Sequence, residues 1–436
     1  MSIELLTLLF FLSLFIFLAL GLPIAFVLGG VSVVFLYFTW GPQSLYMVTA
    51  QVWGTMNKFT LVAVPLFIFM AMILEKSGMA GDLYDMMYLW FGPLRGGLAI
   101  GTVIICAIFS AMCGISGAAV VSMGSIALPS MLKRKYDKNL AVGCINSGGG
   151  WGILIPPSVP MILYALLSGE SVGKLFAGGV VPGLMLLVMV SSYIAIRSYF
   201  QPHLGPALPA AERGEWKKKL TSLKAVILPL MTVLMVLGSI VGGVTTPTEA
   251  AALGVMGALL SALIYRKLTW KIISEATFRT LKLSGMVMWI LFGAYCYCAA
   301  YQGMGAPTLI RHLMQLIPGG PWGTIIFMQL IIFILAMLLD PAGIMMLCIP
   351  VFLPLVKELG FDPVWFGILF IINMEIGYMT PPFGFNLFYM KALVPPWISM
   401  ADIYRSVIPF AIVETTGLIL VMIFPEIALW LPNKFF

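Results

Sequence analysis

Asn146-Ser147-Gly148-Gly149-Gly150-Trp151-Gly152, followed closely by Ile155-Pro156-Pro157-Ser158, is the stretch whose reading decides the fold. It interrupts a long apolar segment, 137–169, that otherwise reads as a helix. The glycine cluster lets the backbone leave helical angles, and neither proline can donate to the turn before it. Carbonyls at Gly152 and Ile155 then lose partners and can face a cation, while amides after Pro157 open a new half-helix that can face an anion. A plain proline kink, common in membrane helices, is the competing reading of one such site. A twin argues against it: Gly377-Tyr378-Met379-Thr380-Pro381-Pro382 interrupts a second segment, 362–393, with Asn373 and Asn386 flanking the break.

The rest of the chain repeats around these two breaks. Sliding the sequence against itself by about 225 residues aligns its punctuation without a gap. Ala25 and Gly29 meet Ala250 and Gly254, Gly78 meets Gly303, and Pro93 meets Pro318. Leu128-Pro129 meets Leu353-Pro354, Asp137 meets Asp362, and Tyr164 meets Tyr389. Two copies follow, 1–205 and 226–436, joined by a polar linker, 206–225. The first copy reads as helices near 4–20, 22–39 and 58–75, an amphipathic piece at 79–94, a hairpin of two short apolar pieces over 96–132, the broken helix, and a helix at 172–197. The second places equivalents near 226–243, 247–265, 284–302, 321–357 (the second hairpin), 362–393 and 402–431.

Composition sets the solvent. Hydrophobic residues make up 61% of the chain and charged residues 9%, too few to cover a soluble surface of this size. Apolar runs of about 16–25 residues recur, long enough to cross a bilayer as helices. The first, Leu5–Leu20, lacks a basic lead and a small-residue cleavage pattern, so it reads as a retained helix and not a signal peptide. If each hairpin is re-entrant, each copy crosses the bilayer an odd number of times and the second is inverted. With the linker cluster (Arg213, Lys217, Lys218, Lys219, Lys224) in the cytoplasm, every basic residue falls on that side except Lys58, Lys174, Arg311, Lys357 and Lys434. Both termini are then expected in the periplasm. The fold class is an all-α polytopic membrane protein with inverted-topology repeats, re-entrant helical hairpins and broken helices.

Several chemistries find no support. Six cysteines sit singly or in pairs in apolar stretches without metal-ligand spacing, and His203 and His312 lie far apart. No serine elbow or phosphate loop is present, so an enzyme is not expected. The tips of the hairpins carry the remaining polar signal. The first, Ser110-Ala111-Met112-Cys113-Gly114-Ile115-Ser116-Gly117, offers two hydroxyls beside the carbonyls of the break, neutral oxygens that suit a hard cation such as sodium. Close helix packing is the other use of its glycines. The second, Asp340-Pro341-Ala342-Gly343, carries a carboxylate that either binds an ion or caps the next half-helix. Thr246-Pro247-Thr248-Glu249 has the spacing of a capping box, with ion binding by Glu249 as the other reading. Glu375 and Glu414 lie deeper in apolar segments, each a place for a proton or for a partner that the sequence does not reveal. No Lys or Arg falls in the middle of a span, so an anionic substrate would be balanced by helix N-termini and co-bound cations, the logic of ion-coupled symport.

At these residues the chain resembles the large membrane subunit of tripartite ATP-independent periplasmic (TRAP) transporters. The matches are Gly21-Leu22-Pro23-Ile24-Ala25-Phe26, Ile115-Ser116-Gly117, Ser125-Ile126-Ala127-Leu128-Pro129, Gly152-Ile153-Leu154-Ile155-Pro156-Pro157-Ser158 and Thr246-Pro247-Thr248-Glu249-Ala250-Ala251-Ala252, spread over nearly the whole chain. The Pro-Pro breaks alone also look like those of divalent-anion/sodium symporters. The resemblance implies an elevator-type transporter of the bacterial inner membrane, in which hairpins and broken helices move against a scaffold. It implies sodium ions as coupling ions and no other cofactor, and an organic-acid substrate such as a C4-dicarboxylate, a 2-oxo acid or a sugar acid. It implies as partners a small four-helix membrane subunit and a periplasmic substrate-binding protein. Carried onto this chain, one sodium site would use Ser110 or Ser116 with Gly152, Ile155 and Pro157; the other would use Asp340 at the second tip with Gly377, Thr380 and Phe383. The substrate would lie against Asn146, Ser147, Pro156, Ser158, Pro381 and Asn386. This first tip departs from the family's serine-richer pattern at Gly117-Ala118-Ala119 and at Cys113. The rival readings are a stand-alone divalent-anion/sodium symporter and, from another class, a channel, which would need a continuous polar pore.

Overall fold

Helices account for the ordered backbone of the computed structural model, which describes residues 2–114, 116–209 and 215–436. Of the sequence-stretches read above, Ile115 of the first tip and Arg213 of the linker lie outside the described residues. The first copy runs Ile3–Ala19 (α1), Ile24–Trp40 (α2), Leu45–Met56 (α3), Ala63–Lys76 (α4), Met79–Phe91 (α5), Gly97–Cys113 (α6), Ala118–Lys133 (α7), Lys138–Gly150 (α8), Val159–Ser168 (α9) and Val172–Phe200 (α10). A linker helix, Trp216–Ser222 (α11), follows. The second copy runs Lys224–Val241 (α12), Pro247–Ile264 (α13), Trp270–Gly303 (α14), Ala306–Gln315 (α15), Gly320–Ala336 (α16), Pro341–Glu358 (α17), Pro363–Tyr378 (α18), Phe385–Leu393 (α19), Met400–Ile423 (α20) and Glu426–Phe435 (α21).

Local chemistry starts equivalent helices in the same way. Asp137 caps α8 by accepting from the amides of Asn139 and Leu140, and Asp362 caps α18 by accepting from Val364 and Trp365. Thr246 and Glu249 close a reciprocal capping box at the head of α13, with Pro247 in the first turn. Packing then follows a pseudo-twofold pattern. Helix α2 packs on α14 and, equivalently, α13 on α4; α8 packs on α20 and α18 on α10; α7 packs on α19 and α17 on α9. Each hairpin thus leans on the half-helix of the other copy. Small residues allow close approach at these contacts: a Cβ at Gly293 on α14 would lie 2.5 Å from the carbonyl oxygen of Ala25 on α2.

Side-chain pairs fix the relative direction of the copies. Near the end of α4, Lys76 pairs with Glu275 at 3.4 Å and Glu75 with Arg279 at 3.9 Å, both early in α14. Ahead of α4, before the short turn Phe59–Val62, Lys58 Nζ donates to the Tyr295 hydroxyl, late in α14, at 2.6 Å. The equivalent helices therefore run antiparallel, as inversion requires. The ion pairs also sort by end. Lys76–Glu275, Arg279–Glu75, Lys267–Asp82 and Lys138–Asp402 join residues on the linker's side of the charge map. Arg311–Glu358 and Lys357–Glu170 join residues on the other.

The molecule presents an apolar surface. Leu8 on α1, Phe38 on α2, Val188 on α10, Trp289 on α14 and Ile412 on α20 are each more than half exposed. Such faces are stable only against hydrocarbon. Seven described helices are long and apolar enough to cross a membrane. The interrupted helices sit inside this shell: every residue from Leu140 to Gly150 and from Val364 to Tyr378 is buried. That position is the one in which a bilayer tolerates broken backbone.

Several boundaries differ from the sequence expectation: α14 begins at Trp270 instead of near 284, and α15 lies between two of the expected segments. The first copy carries an additional helix, α3, ahead of α4, matching the first part of the continuous α14. Its exposed Tyr46, Trp53 and Met56 extend the apolar pattern, so the sequence does not mark it off, and the chain turns at Asn57 and Lys58 before the α-helix resumes at Ala63. The segment expected as one helix over 402–431 divides at Phe424, because Pro425 disfavours helical angles in the residue before it and opens α21.

Candidate substrate and ion site

Helix α8 ends at Gly150, a short 3-10 turn spans Trp151–Ile153, and α9 begins at Val159 after the Pro156-Pro157 pair. Ser158 holds the turn, its Oγ donating to the carbonyl of Ile153 at 2.5 Å and accepting from the amide of Met161. In the second copy, Thr380 Oγ1 donates to the carbonyl of Ile376 at 2.6 Å, and the Tyr404 hydroxyl donates to the carbonyl of Pro382 at 2.7 Å. Among the described residues, no hydrogen bond reaches the carbonyls of Ile155 and Pro157. The carbonyl of Gly377 accepts from the amide of Thr380, and Phe383, about half exposed, lies in the turn beyond Pro382.

Each tip meets a break. The amide of Val159, at the head of α9, donates to the carbonyl of Gly114 at 3.1 Å. A Cβ at Gly114 would sit 2.5 Å from the Pro157 oxygen, and Gly114 has φ of +60°, so the approach demands glycine on two counts. Ser116 reaches across to the other copy, its Oγ donating to Asn386 Oδ1 at 3.0 Å. On the second side, a Cβ at Gly377 would meet Cβ of Ala336 at 2.3 Å, which locks the end of α18 against the end of α16. Asp340 accepts from the amides of Ala342 and Gly343 and so caps α17. Capping uses its Oδ2; its side chain also borders a cavity.

That cavity, about 550 Å³, lies between the two tips and the helices α2, α4 and α14. Ser116 and Asp340 stand on its wall with Ile153, Val159 and Pro160 from the first break and Tyr378, Phe385 and Tyr389 from the second. Pro23, Ile24 and Ala25 by α2, Ile68 on α4, and Leu283, Met286, Val287 and Ile290 on α14 complete its lining. The expected residues therefore divide into groups. Ser116 and Asp340 face the cavity; Asn146, Ser147, Ser158 and Asn386 are buried behind it. Ser110 is buried at the end of α6 with its hydroxyl unpartnered, and Asn146 keeps its Oδ1 unpartnered while its amide donates to the carbonyl of Val142. Ile155, Pro157, Thr380 and Pro381 belong to the turns that support the wall. Sequence reasoning did not reach the aromatic wall of Tyr378, Phe385 and Tyr389; the repeat alignment of Tyr164 with Tyr389 was its one signal. It also left Glu414 without a partner. The structure supplies two: Ser147 Oγ and Trp151 Nε1 both donate to Glu414 Oε1, at 2.5 and 3.3 Å.

Paired hairpins and paired broken helices around a cavity, on antiparallel equivalent helices, define a membrane carrier built by inverted duplication. The family follows from sequence: residues 11–427 match the model of the tripartite ATP-independent periplasmic transporter DctM component, and the chain belongs to that family, as its large permease subunit. It is 34% identical over 407 residues to the C4-dicarboxylate TRAP transporter large permease protein DctM of Pseudomonas aeruginosa, covering 93% of each chain. It is 31% identical over 428 residues to the ectoine TRAP transporter large permease protein TeaC of Halomonas elongata, covering 96% of this chain and 97% of that one. In fold it is similar to the YdaH transporter of Alcanivorax borkumensis, with a TM-score of 0.64, 14% identity and 98% of each chain covered.

Proposed function

We propose that this TRAP large permease is the transport subunit of a sodium-coupled importer of organic acids in the bacterial inner membrane. The observation that carries this reading is the cavity shared by both tips, with Ser116 on one side and Asp340 on the other. Hydroxyl, carboxylate and unpartnered peptide oxygens near the tips suit sodium, and half-helix N-termini at Val159 and Phe385 suit a carboxylate. Sodium would then neutralise the substrate's charge in a site with no basic side chain among the described residues of its wall. The cavity separates tips and broken helices from α2, α4 and α14, the division along which an elevator movement would slide one body past the other.

The reading includes a small four-helix membrane subunit and a periplasmic binding protein as partners, and both termini in the periplasm. Relatives of similar identity carry different substrates in their names, a C4-dicarboxylate and ectoine, so the wall of this cavity is compatible with selection made largely by the delivering protein. The test is uptake of a panel of labelled organic acids into proteoliposomes, with and without the binding protein and small subunit, and with sodium replaced by choline at fixed pH. Uptake that needs both protein partners and sodium is the expected result. Uptake without a binding protein would favour the stand-alone symporter, and uptake unchanged in choline would remove sodium.

A further inference from the structure

The two copies share a design, but their half-helices do not share surroundings. At the offset of 225 residues that carries Leu128 to Leu353, α9 of the first copy corresponds to α19 of the second. Each packs on the hairpin and broken helix of the other copy, α9 on α17 and α18, α19 on α7 and α8. Each also packs on the long helix that follows it, α10 or α20. Helix α9 packs in addition on α4, across the cavity from the tips. Helix α19 is open where α9 is closed. Tyr389 is 44% exposed and its twin Tyr164 0%; Phe388 is 50% exposed and its twin Leu163 2%.

A chain of polar groups closes the α9 side. Lys58 Nζ donates to the Tyr295 hydroxyl at 2.6 Å and lies 4.2 Å from the centre of the same ring. That hydroxyl donates in turn to the carbonyl of Leu166 at 2.9 Å. Leu166 is in the last turn of α9, where a helix has no amide of its own left to meet its carbonyls. Lys58 leads into α4 and Tyr295 belongs to α14, so the chain crosses the seam along which the proposed movement runs.

Its place is at one end of the cavity. On α14, Leu283, Met286, Val287 and Ile290 line the cavity, and Tyr295 stands five residues, about 7.5 Å, past the last of them. Glu275 and Arg279 lie before the first, on the linker's side, paired with Lys76 and Glu75. On α9, Leu163 lines the cavity and Leu166 is almost a turn further on. The chain therefore stands at the end away from the linker. The other end has no counterpart. Lys58 and Tyr295 correspond to Leu283 and Met70, whose side chains cannot make such bonds. Leu166 corresponds to Lys391, which donates to the carbonyl of Ile398 in its own copy.

We propose that Lys58 and Tyr295 form a latch that holds α9 on α4 and α14 and shuts the cavity on the side away from the linker, the periplasmic side of the proposed importer. The latch parts before substrate enters from that side and forms again when α9 returns. Only the first copy carries it, so polar bonds hold the cavity closed at one end and apolar packing at the other. The inference rests on the carrier reading of the chain, but on no choice of substrate or coupling ion.

Accessibility of an added cysteine tests the latch. Leu163→Cys places a thiol on the cavity wall, close to Leu166. Right-side-out and inside-out membrane vesicles from cells that make the carrier are treated with a membrane-impermeant maleimide, and Lys218→Cys marks the linker's side in the same vesicles. Each rate is taken relative to the same chain without the added cysteine, which corrects for the six native thiols. With the latch intact, the added thiol should react from the linker's side and be protected from the other. Tyr295→Phe removes one oxygen and with it both hydrogen bonds, and Lys58→Met removes the cation; either should raise the rate from the protected side severalfold. Lys174→Met, on the same side in the first turn of α10, should leave it unchanged. The latch is overturned by a parent rate in whichever of the two variants reaches the membrane, by an equal rise in Lys174→Met, or by ready labelling from the protected side before any latch residue is changed. Labelling needs neither sodium nor substrate, so uptake that persists in choline leaves this result standing. An unchanged rate in a carrier that still imports its substrate rejects the latch alone.

Discussion

Ser116 at the tip of the first hairpin and Asn386 in the first turn of α19 are 270 positions apart in the chain and joined by a 3.0 Å hydrogen bond. The bond ties one copy's tip to the other copy's half-helix at the cavity wall. Ser116→Ala removes it and leaves Asn386, already short of a partner at Nδ2, without one at Oδ1. A hydrogen bond of this kind contributes about 1 kcal/mol net. The expected effect is a rise of about fivefold in the sodium concentration for half-maximal uptake. Uptake against sodium concentration in proteoliposomes measures it; an unchanged midpoint would move the first site to Ser110 or to backbone oxygens alone.

Asp340 has two roles that one substitution separates. Asparagine caps a helix about as well as aspartate, so Asp340→Asn preserves the bonds to Ala342 and Gly343. It removes the negative charge from the cavity wall. Melting temperature should stay within about 2 °C of the parent, while apparent sodium affinity falls about tenfold, equivalent to about 1.4 kcal/mol. Unchanged affinity would reduce Asp340 to a cap.

Much of this architecture was legible in the chain because it is written in local chemistry. Helices α8 and α18 start at Lys138 and Pro363, at the offset read from the punctuation. Proline pairs, aspartate caps and the Thr246–Glu249 box act within a few residues of themselves, so sequence alone exposes them. Contacts between distant elements are different in kind. Nothing near Ser147 announces Glu414, 267 positions away, and hydropathy cannot say that Tyr378 and Tyr389 turn onto a cavity. Apolar periodicity also concealed α3, whose Tyr46 and Trp53 make a surface that a run of hydrophobic residues does not mark as separate.

Two glycines with similar backbone angles should differ sharply when changed to alanine. Gly114 has φ of +60° and Gly169 has φ of +76°, so each substitution incurs the strain of a left-handed angle, about 1 kcal/mol. Around Gly169 the added Cβ meets nothing within 4 Å; at Gly114 it meets the Pro157 oxygen at 2.5 Å. Gly169→Ala should therefore lower thermal stability slightly and transport normally. Gly114→Ala must push the first tip off the first break, and uptake should fall by tenfold or more in protein that still reaches the membrane. Equal activity in the two variants would show that the tip contact is dispensable.

The box at the head of α13 offers a test of stability free of transport chemistry. Glu249 Oε2 accepts from the amide and the hydroxyl of Thr246, at 2.7 and 2.9 Å, while Thr246 Oγ1 accepts from the Glu249 amide at 3.4 Å. The site lies on the exposed surface, away from the cavity wall. Losing a cap costs about 1 kcal/mol, so Glu249→Ala and Thr246→Ala should each lower the melting temperature by about 2 °C. The two side chains stabilise the same turn, so the double variant should lose less than the sum of the singles. Sodium dependence of uptake should stay at the parent value in all three. If Glu249→Ala instead raises the sodium requirement with little loss of stability, this acid belongs to the ion site and the assignment of that site to the two tips is wrong.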